Sequence, residues 1–176
     1  SRAAKRARIL YKKIDSTLKG HVAAELAAIR WRGSLVFAPA FPAQGRTTVD
    51  GRLRLKGKPT SGDLRAPLSR AGLPATHIDL ASLRAPHPEK TFERAIRTGA
   101  RGLVCDAVTD ADLDRIARAG MALRPRPLFV GSGGLARALA RTLPRRKPAA
   151  WPPVERRPVV TVVGSASPIS KKQVLR

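Results

Sequence analysis

One cysteine and three histidines are all that this 176-residue chain offers of the residue types that build disulfide and zinc sites. Cys105 stands alone inside an apolar strand pattern, which excludes a disulfide framework and fits a cytoplasmic setting. His21, His77 and His87 lie far apart, and with a single cysteine they give no zinc-ligand spacing. Acids are scarce too: 12 against 35 lysines and arginines, a net charge of +23. Such a balance raises nucleic acid as a partner. Against it, aromatics are only 4%, leaving little to stack bases on, and the basic residues are scattered along the chain. The longest apolar stretch, residues 35–43, is short and carries two prolines, so no membrane span is expected. No signal-peptide pattern is visible, and no methionine opens the chain. Ser1 begins a basic, alanine-rich run like the tail of a helix, and the expectation is a fragment.

What is present is an alternation. Hydrophobic residues make up 43%, enough for a packed core. Strand-like runs occupy residues 9–14, 34–38, 76–80, 102–106, 127–130 and 159–163. Helical patterns follow at 22–31, 63–71, 89–98, 111–119, 135–142 and from 169 onward. Thr109-Asp110-Ala111-Asp112 has the form of a helix-start capping box, and Gly72, Gly99 and Gly120 sit where helices are expected to stop. Residues 47–56 alternate around Asp50-Gly51, a hairpin signal. The expected fold is α/β, a mainly parallel sheet with helices on both faces. Residues 145–157, basic and proline-rich, read as a linker between a first domain at 1–144 and the start of a second α/β domain at 158–176.

Chemistry gathers where strands end. Lys12-Lys13-Ile14-Asp15-Ser16-Thr17-Leu18-Lys19-Gly20 carries a strand into a helix through a carboxylate, two hydroxyls and a glycine, ringed by lysines. Such a turn suits a small polar anion. It equally suits plain helix capping. Pro39 to Thr47 follows the next strand; its prolines stiffen a loop that ends in Arg46, whose planar fork grips carboxylates. A rigid connector with a solvated arginine is the plainer alternative. Gly131-Ser132-Gly133-Gly134 lacks the lysine of a phosphate loop and reads as close strand–helix packing. Asp106 is open between a site acid and a cap for the next turn. Gly164 to Ser170 repeats the strand–loop–helix arrangement with three hydroxyls, suited to phosphate or to capping.

Taken in order, these segments resemble the four-carbon acid sugar kinases, which phosphorylate tetronates such as threonate, erythronate and 3-oxo-tetronates. Lys12 to Gly20 is similar to that family's K-K-x-D-S-T-L-R-G, with Lys19 in place of arginine. Pro39-Ala40-Phe41-Pro42 with Gly45-Arg46-Thr47 is similar to its P-A-x-P-x-x-G-R-T. Asp106, Asp110, Asp112 and Leu113 match D-A-x-x-D-x-D-L, and Gly131 to Leu135 matches G-S-x-G-L. Gly164-Ser165, Ser167, Ser170 and Gln173 resemble the opening of its nucleotide-binding domain, with Ser170 for threonine. The family's upstream aspartate pair and its downstream glycine-rich loops have no counterpart in these residues.

The resemblance implies ATP-dependent phosphoryl transfer to a hydroxyl of a short sugar acid, with Mg²⁺ on the phosphates and no protein ligand for it identifiable. It assigns the sugar acid to Lys13, Asp15, Ser16, Thr17 and Arg46, and ATP phosphates to Ser165 and Ser167. The catalytic base stays unassigned, and the isolated chain is expected to be inactive. Two other readings stay open: a basic nucleic-acid-binding module, and a non-catalytic remnant of the kinase fold.

Overall fold

A computed structural model describes residues 9–144 apart from Arg30 and Ser61, together with Lys172. The chain divides into two units, Ser1–Pro144 and Arg145–Arg176, and all elements below belong to the first. The linker at 145–157, the strand at 159–163 and the helix from 169 fall outside the described residues.

In chain order the elements are β1 (Leu10–Lys13), α1 (Val22–Ile29), β2 (Leu35–Ala38), a 3-10 turn at Pro42–Gln44, β3 (Arg46–Val49), β4 (Arg52–Leu55), β5 (Lys58–Pro59), α2 (Ala66–Arg70), β6 (Ala75–Ile78), α3 (Leu80–Arg84), α4 (Pro88–Arg97), β7 (Gly102–Cys105), α5 (Asp110–Ala122), β8 (Leu128–Gly131) and α6 (Gly133–Thr142). Five strands form one parallel sheet in the order β1-β8-β2-β7-β6, and β3-β4-β5 form a small antiparallel sheet beside it. This is the expected α/β architecture.

The pleat explains the layering. On β2, Leu35 and Phe37 join one apolar cluster with Val22 and Leu26 of α1 and Leu68 of α2. Val36 and Ala38 join the other, with Leu83 of α3, Phe92 of α4, Ile116 of α5 and Leu135 of α6. Successive side chains of a strand point to opposite faces, so a run apolar at every position is buried on both. The strand is fully buried along its length. The connections leaving β1 and β2 therefore cross one face, and those leaving β6, β7 and β8 cross the other.

Several local expectations hold. Thr109 Oγ1 accepts from Asp112 N at 3.1 Å while Asp112 Oδ2 accepts from Thr109 N at 3.0 Å, closing the capping box. Asp50 and Gly51 both have positive φ, 54° and 67°, as a two-residue hairpin requires. Gly72 and Gly99 follow helices in the left-handed region. Gly120 is a correction: it lies inside α5, where a Cβ would stand 2.5 Å from the Phe129 ring, so close helix–sheet packing requires it. The third strand also ends earlier than expected, at Ile78, because Asp79 accepts from Ser82 N at 2.7 Å and caps α3. No described helix is long and apolar enough to cross a membrane.

Candidate functional site

Ligands of open parallel sheets bind beyond the carboxyl ends of the strands, where neighbouring connections part to opposite faces. Here that happens around β8: the turn after β1 and the loop after β2 leave across one face, while Ser132 after β8 caps α6 on the other. Ser132 Oγ accepts from Gly134 N at 3.3 Å and donates to Ala40 O at 2.8 Å. A Cβ on Gly131 would meet Ala38 O at 2.6 Å, and one on Gly134 would meet Ala40 O at 2.7 Å. The glycines of this loop serve strand–helix packing, as expected.

The turn after β1 stands apart from the following helix. Leu18 N donates to Asp15 O at 3.1 Å, Leu18 has φ 61° and Gly20 φ 97°. Only at Val22 does α1 begin, so Asp15, Ser16 and Thr17 do not cap it. Their bonds are internal. Asp15 Oδ2 accepts from Thr17 N at 2.7 Å, from the Thr17 hydroxyl and from Lys19 N at 3.4 Å. Among the described residues no bond falls on Oδ1. Slight burial pushes the Asp15 carboxyl up, but the Thr17 donors, Lys19 N–H and the Lys13 charge outweigh it and hold it below its ordinary value. Asp15 is thus an ionised, exposed acceptor with one oxygen to offer. Lys13 Nζ, beside it, donates to Ile14 O at 2.8 Å. Ser16 is buried, unlike its two neighbours.

Across from this turn lies the small sheet. The β3–β4 register pairs Arg46 with Leu55 and Thr48 with Leu53, so these four side chains share one face. Leu53 and Leu55 line a cleft of about 180 Å³ together with Thr17, Leu18, Thr60, Gly62, Asp63 and Leu64. Arg46, on the same face, donates to Gln44 Oε1, and Gly45 makes the tight turn behind it at φ 67°. The Arg65 guanidinium beside Asp63 holds that carboxyl below its ordinary value and offsets its charge. A larger cleft of about 290 Å³ on the helix side of the turn is lined by Leu18, Gly20, His21, Pro67 and Arg70 and by none of the expected site residues. The smaller one is the candidate site.

The structure thus places Thr17 on the cleft wall, Lys13, Asp15 and Ser16 in and around its turn, and Arg46 on the facing sheet. Ser165 and Ser167 lie outside the described residues. Asp106, open in the sequence, is not the cap of the next turn. Thr109 and Asp112 do that. Asp106 is buried, accepts from Gly51 N at 3.2 Å and pairs with His77 Nε2 at 2.8 Å. Sequence reasoning missed His77, Thr60 and Asp63; each is brought in by a partner distant in sequence or by a loop of no regular period. No group of three or more His, Cys, Asp or Glu suited to a metal occurs among the described residues.

A parallel α/β domain with a small cleft of leucines edged by Thr17, Thr60 and Asp63, beside the turn that leaves β1, has the architecture of a ligand-binding domain. The chain belongs to the family described as the sugar-binding N-terminal domain, whose model matches residues 1–139. It is 43% identical to a D-threonate kinase of Cupriavidus necator, over 94% of this chain and 44% of that protein. It is 33% identical to a 3-oxo-tetronate kinase of the same organism, over 92% of this chain and 43% of that one. The chain therefore spans less than half the length of these relatives. Among solved structures, a domain of unknown function from Bordetella bronchiseptica, a domain-swapped dimer with bound citrate, matches 79% of this chain and 37% of that one at 34% identity and a TM-score of 0.63. A Haemophilus influenzae protein at 20% identity and a TM-score of 0.65 shares the fold.

Proposed function

We propose that this chain forms the sugar-acid-binding part of an ATP-dependent kinase acting on a hydroxyl of a four-carbon sugar acid of the D-threonate or 3-oxo-tetronate class. The observation that carries this is the 43% identity with a D-threonate kinase across 94% of the chain. The chemistry of Thr17 on the cleft wall and of the residues around it supports it. A tetronate carries one carboxylate and several hydroxyls. Arg46 and Lys13 supply cationic donors for the first, Asp15 Oδ1 accepts from one of the second, and Thr17 can donate or accept. Asp15, held below its ordinary pKa, is a weak base and therefore orients the hydroxyl rather than deprotonating it. ATP supplies the transferred phosphoryl group, and such transfer depends chiefly on positioning and charge stabilisation.

In this reading residues 1–144 hold the sugar acid, 145–157 link, and 158–176 open a nucleotide-binding domain where Ser165 and Ser167 meet ATP phosphates, all in the cytoplasm. Calorimetric titration of the 176-residue chain with D-threonate, D-erythronate and 3-oxo-tetronates tests it. One of these is expected to bind saturably, while threitol, which lacks the carboxylate, gives no heat. Asp15→Ala and Arg46→Ala are each expected to weaken binding about tenfold or more, the scale of one hydrogen bond to a charged group. Absence of binding by every tetronate overturns the reading. ATP-dependent phosphorylation by these 176 residues alone would overturn the proposed division of roles.

A further inference from the structure

The hairpin that carries Arg46 is fastened to the parallel sheet at two points. Just before its turn, Thr48 N donates to Ala107 O at 2.9 Å, while Thr48 Oγ1 accepts from Ala107 N at 2.8 Å and donates to Cys105 O at 3.4 Å. At its tip, Gly51 N donates to Asp106, 3.2 Å from Oδ1 and 3.4 Å from Oδ2. The same residue is held on its other side, since Leu64 N donates to Gly51 O at 2.8 Å. Gly51 thus joins the hairpin, the loop bearing Asp63 and Leu64, and the sheet edge, all walls or supports of the cleft. A Cβ there would lie 3.6 Å from the His77 ring, so the tip rests directly on the Asp106–His77 pair.

Asp106 is 1% exposed and His77 Nε2 lies 2.8 Å from its Oδ2. A buried carboxylate persists only where its oxygens are satisfied. Among the described residues two partners do this, His77 and the hairpin's own backbone, the latter through Gly51 N and, after it, Asp50 N. Releasing the tip costs the carboxylate a donor, and losing the carboxylate frees the tip.

We propose that Asp106 is a positioning residue for the sugar-acid site: through Gly51 it fixes the hairpin so that the Arg46 face stands over the Thr17–Leu18 turn. This rests on the reading of the cleft as a sugar-acid site, and Asp106 itself touches no substrate. The experiment compares Asp106→Ala, Asp106→Asn, His77→Ala and Arg84→Ala in the 176-residue chain, reading amide hydrogen exchange at Gly51 and calorimetric affinity for D-threonate. Asp106→Ala is expected to speed Gly51 exchange and weaken D-threonate binding, each about tenfold or more. Asparagine keeps an acceptor for Gly51 N–H and a hydrogen-bonding group toward His77, so Asp106→Asn is expected to restore both to within about threefold. Arg84→Ala, which strips a partner from a different buried carboxylate, is expected to lower the melting temperature and move neither readout. His77→Ala removes one of the two partners at a half-buried position and keeps the test alive should Asp106→Ala not fold; about threefold faster Gly51 exchange is expected. Unchanged Gly51 exchange in both Asp106→Ala and His77→Ala overturns the proposal, as does Arg84→Ala weakening binding as much as Asp106→Ala. If the unaltered chain binds no tetronate, the site reading fails while the Gly51 exchange still decides the clamp.

Discussion

Three aspartates of this chain are chemically identical and do three different things, because their donors differ. Asp15 is exposed and spends one oxygen on its own turn. Asp112 is buried and surrounded: Arg84 Nε and Nη2 reach its two oxygens at 2.9 Å each, and Val108 N and Thr109 N donate at 3.1 and 3.0 Å. Burial pushes the Asp112 carboxyl up, but those donors outweigh it and bring it down to about 2. A carboxyl whose folded pKa lies below its unfolded value binds fewer protons in the native state. Its stabilisation is complete above the ordinary carboxylate range near 4 and is lost as pH falls toward 2. Asp112→Asn is accordingly expected to cost about 2 kcal/mol at pH 7 and to narrow its deficit toward pH 2, measured by urea unfolding at several pH values. Asp106 has the opposite sign. Burial pushes its carboxyl up, only partly offset by His77 and Gly51 N–H, so the native state binds the extra proton. Stability then falls as pH rises from the ordinary carboxylate range to the folded value, and Asp106→Asn is expected to flatten that part of the profile. The capping role of Asp112 was legible, because its partner Thr109 is three residues away. The Asp106–His77 pair was not, because 29 residues separate its members and no local period marks them.

At the scale of elements, strands buried on both faces and helices with one apolar face announce themselves, and β2, β7 and β8 were legible for that reason, while the partly exposed edge strands β1 and β6 were legible from short apolar-edged runs. Where the reading slipped, a local rule met a packing demand. Gly120 obeys the helix-stop rule in sequence yet sits within α5, because the helix passes so close to β8 that only hydrogen fits. Gly120→Ala separates the two effects. Helix propensity favours alanine by about 1 kcal/mol. Overpacking against the buried Phe129 ring costs about 1–3 kcal/mol. The net expectation is a lower melting temperature, and a rise would mean the ring has room to move. Gly51→Ala isolates backbone strain instead. Its φ of 67° disfavours a Cβ by about 1 kcal/mol, while the nearest side-chain atom, His77 Cδ2 at 3.6 Å, is at ordinary contact distance. A loss of about 1 kcal/mol with the cleft intact is expected from urea unfolding. The short helix α3 was missed although its signal, Asp79 three residues before Ser82, was present: Ile78 and Leu80 on either side of it read as the end of a strand. For the turn at Asp15, composition was legible and its detachment from α1 was not, since spacing does not say whether a polar triplet caps a helix or folds on itself.

At the scale of the molecule, the charge of +23 is the feature least suited to a small-acid site, and the ion pairs show where it resides. Glu25, Asp63, Glu89, Asp106, Asp112 and Asp114 each face a base: Lys12, Arg65, His87, His77, Arg84 and Arg141 respectively. Half of the twelve acids thus have a basic partner, four of them a lysine or arginine, and the surplus bases repel one another across the surface. Salt screens that repulsion over about 8 Å at physiological ionic strength. The melting temperature is therefore expected to rise with sodium chloride. The same surplus separates the two functional readings. A polyanion bound along a basic groove releases many counterions, so its affinity falls steeply with salt, whereas a tetronate presents a single carboxylate and has a shallow dependence. Titrations between about 50 and 200 mM salt are expected to show D-threonate affinity nearly constant while any binding of duplex DNA collapses. Tight DNA binding that survives the higher salt and is displaced by D-threonate would instead make the cleft part of a nucleic-acid surface. Scattered arginines with few aromatics offer no continuous track for a phosphate backbone. The exposed Asp15 carboxylate beside the cleft would repel such a backbone while still accepting a hydroxyl of a sugar acid.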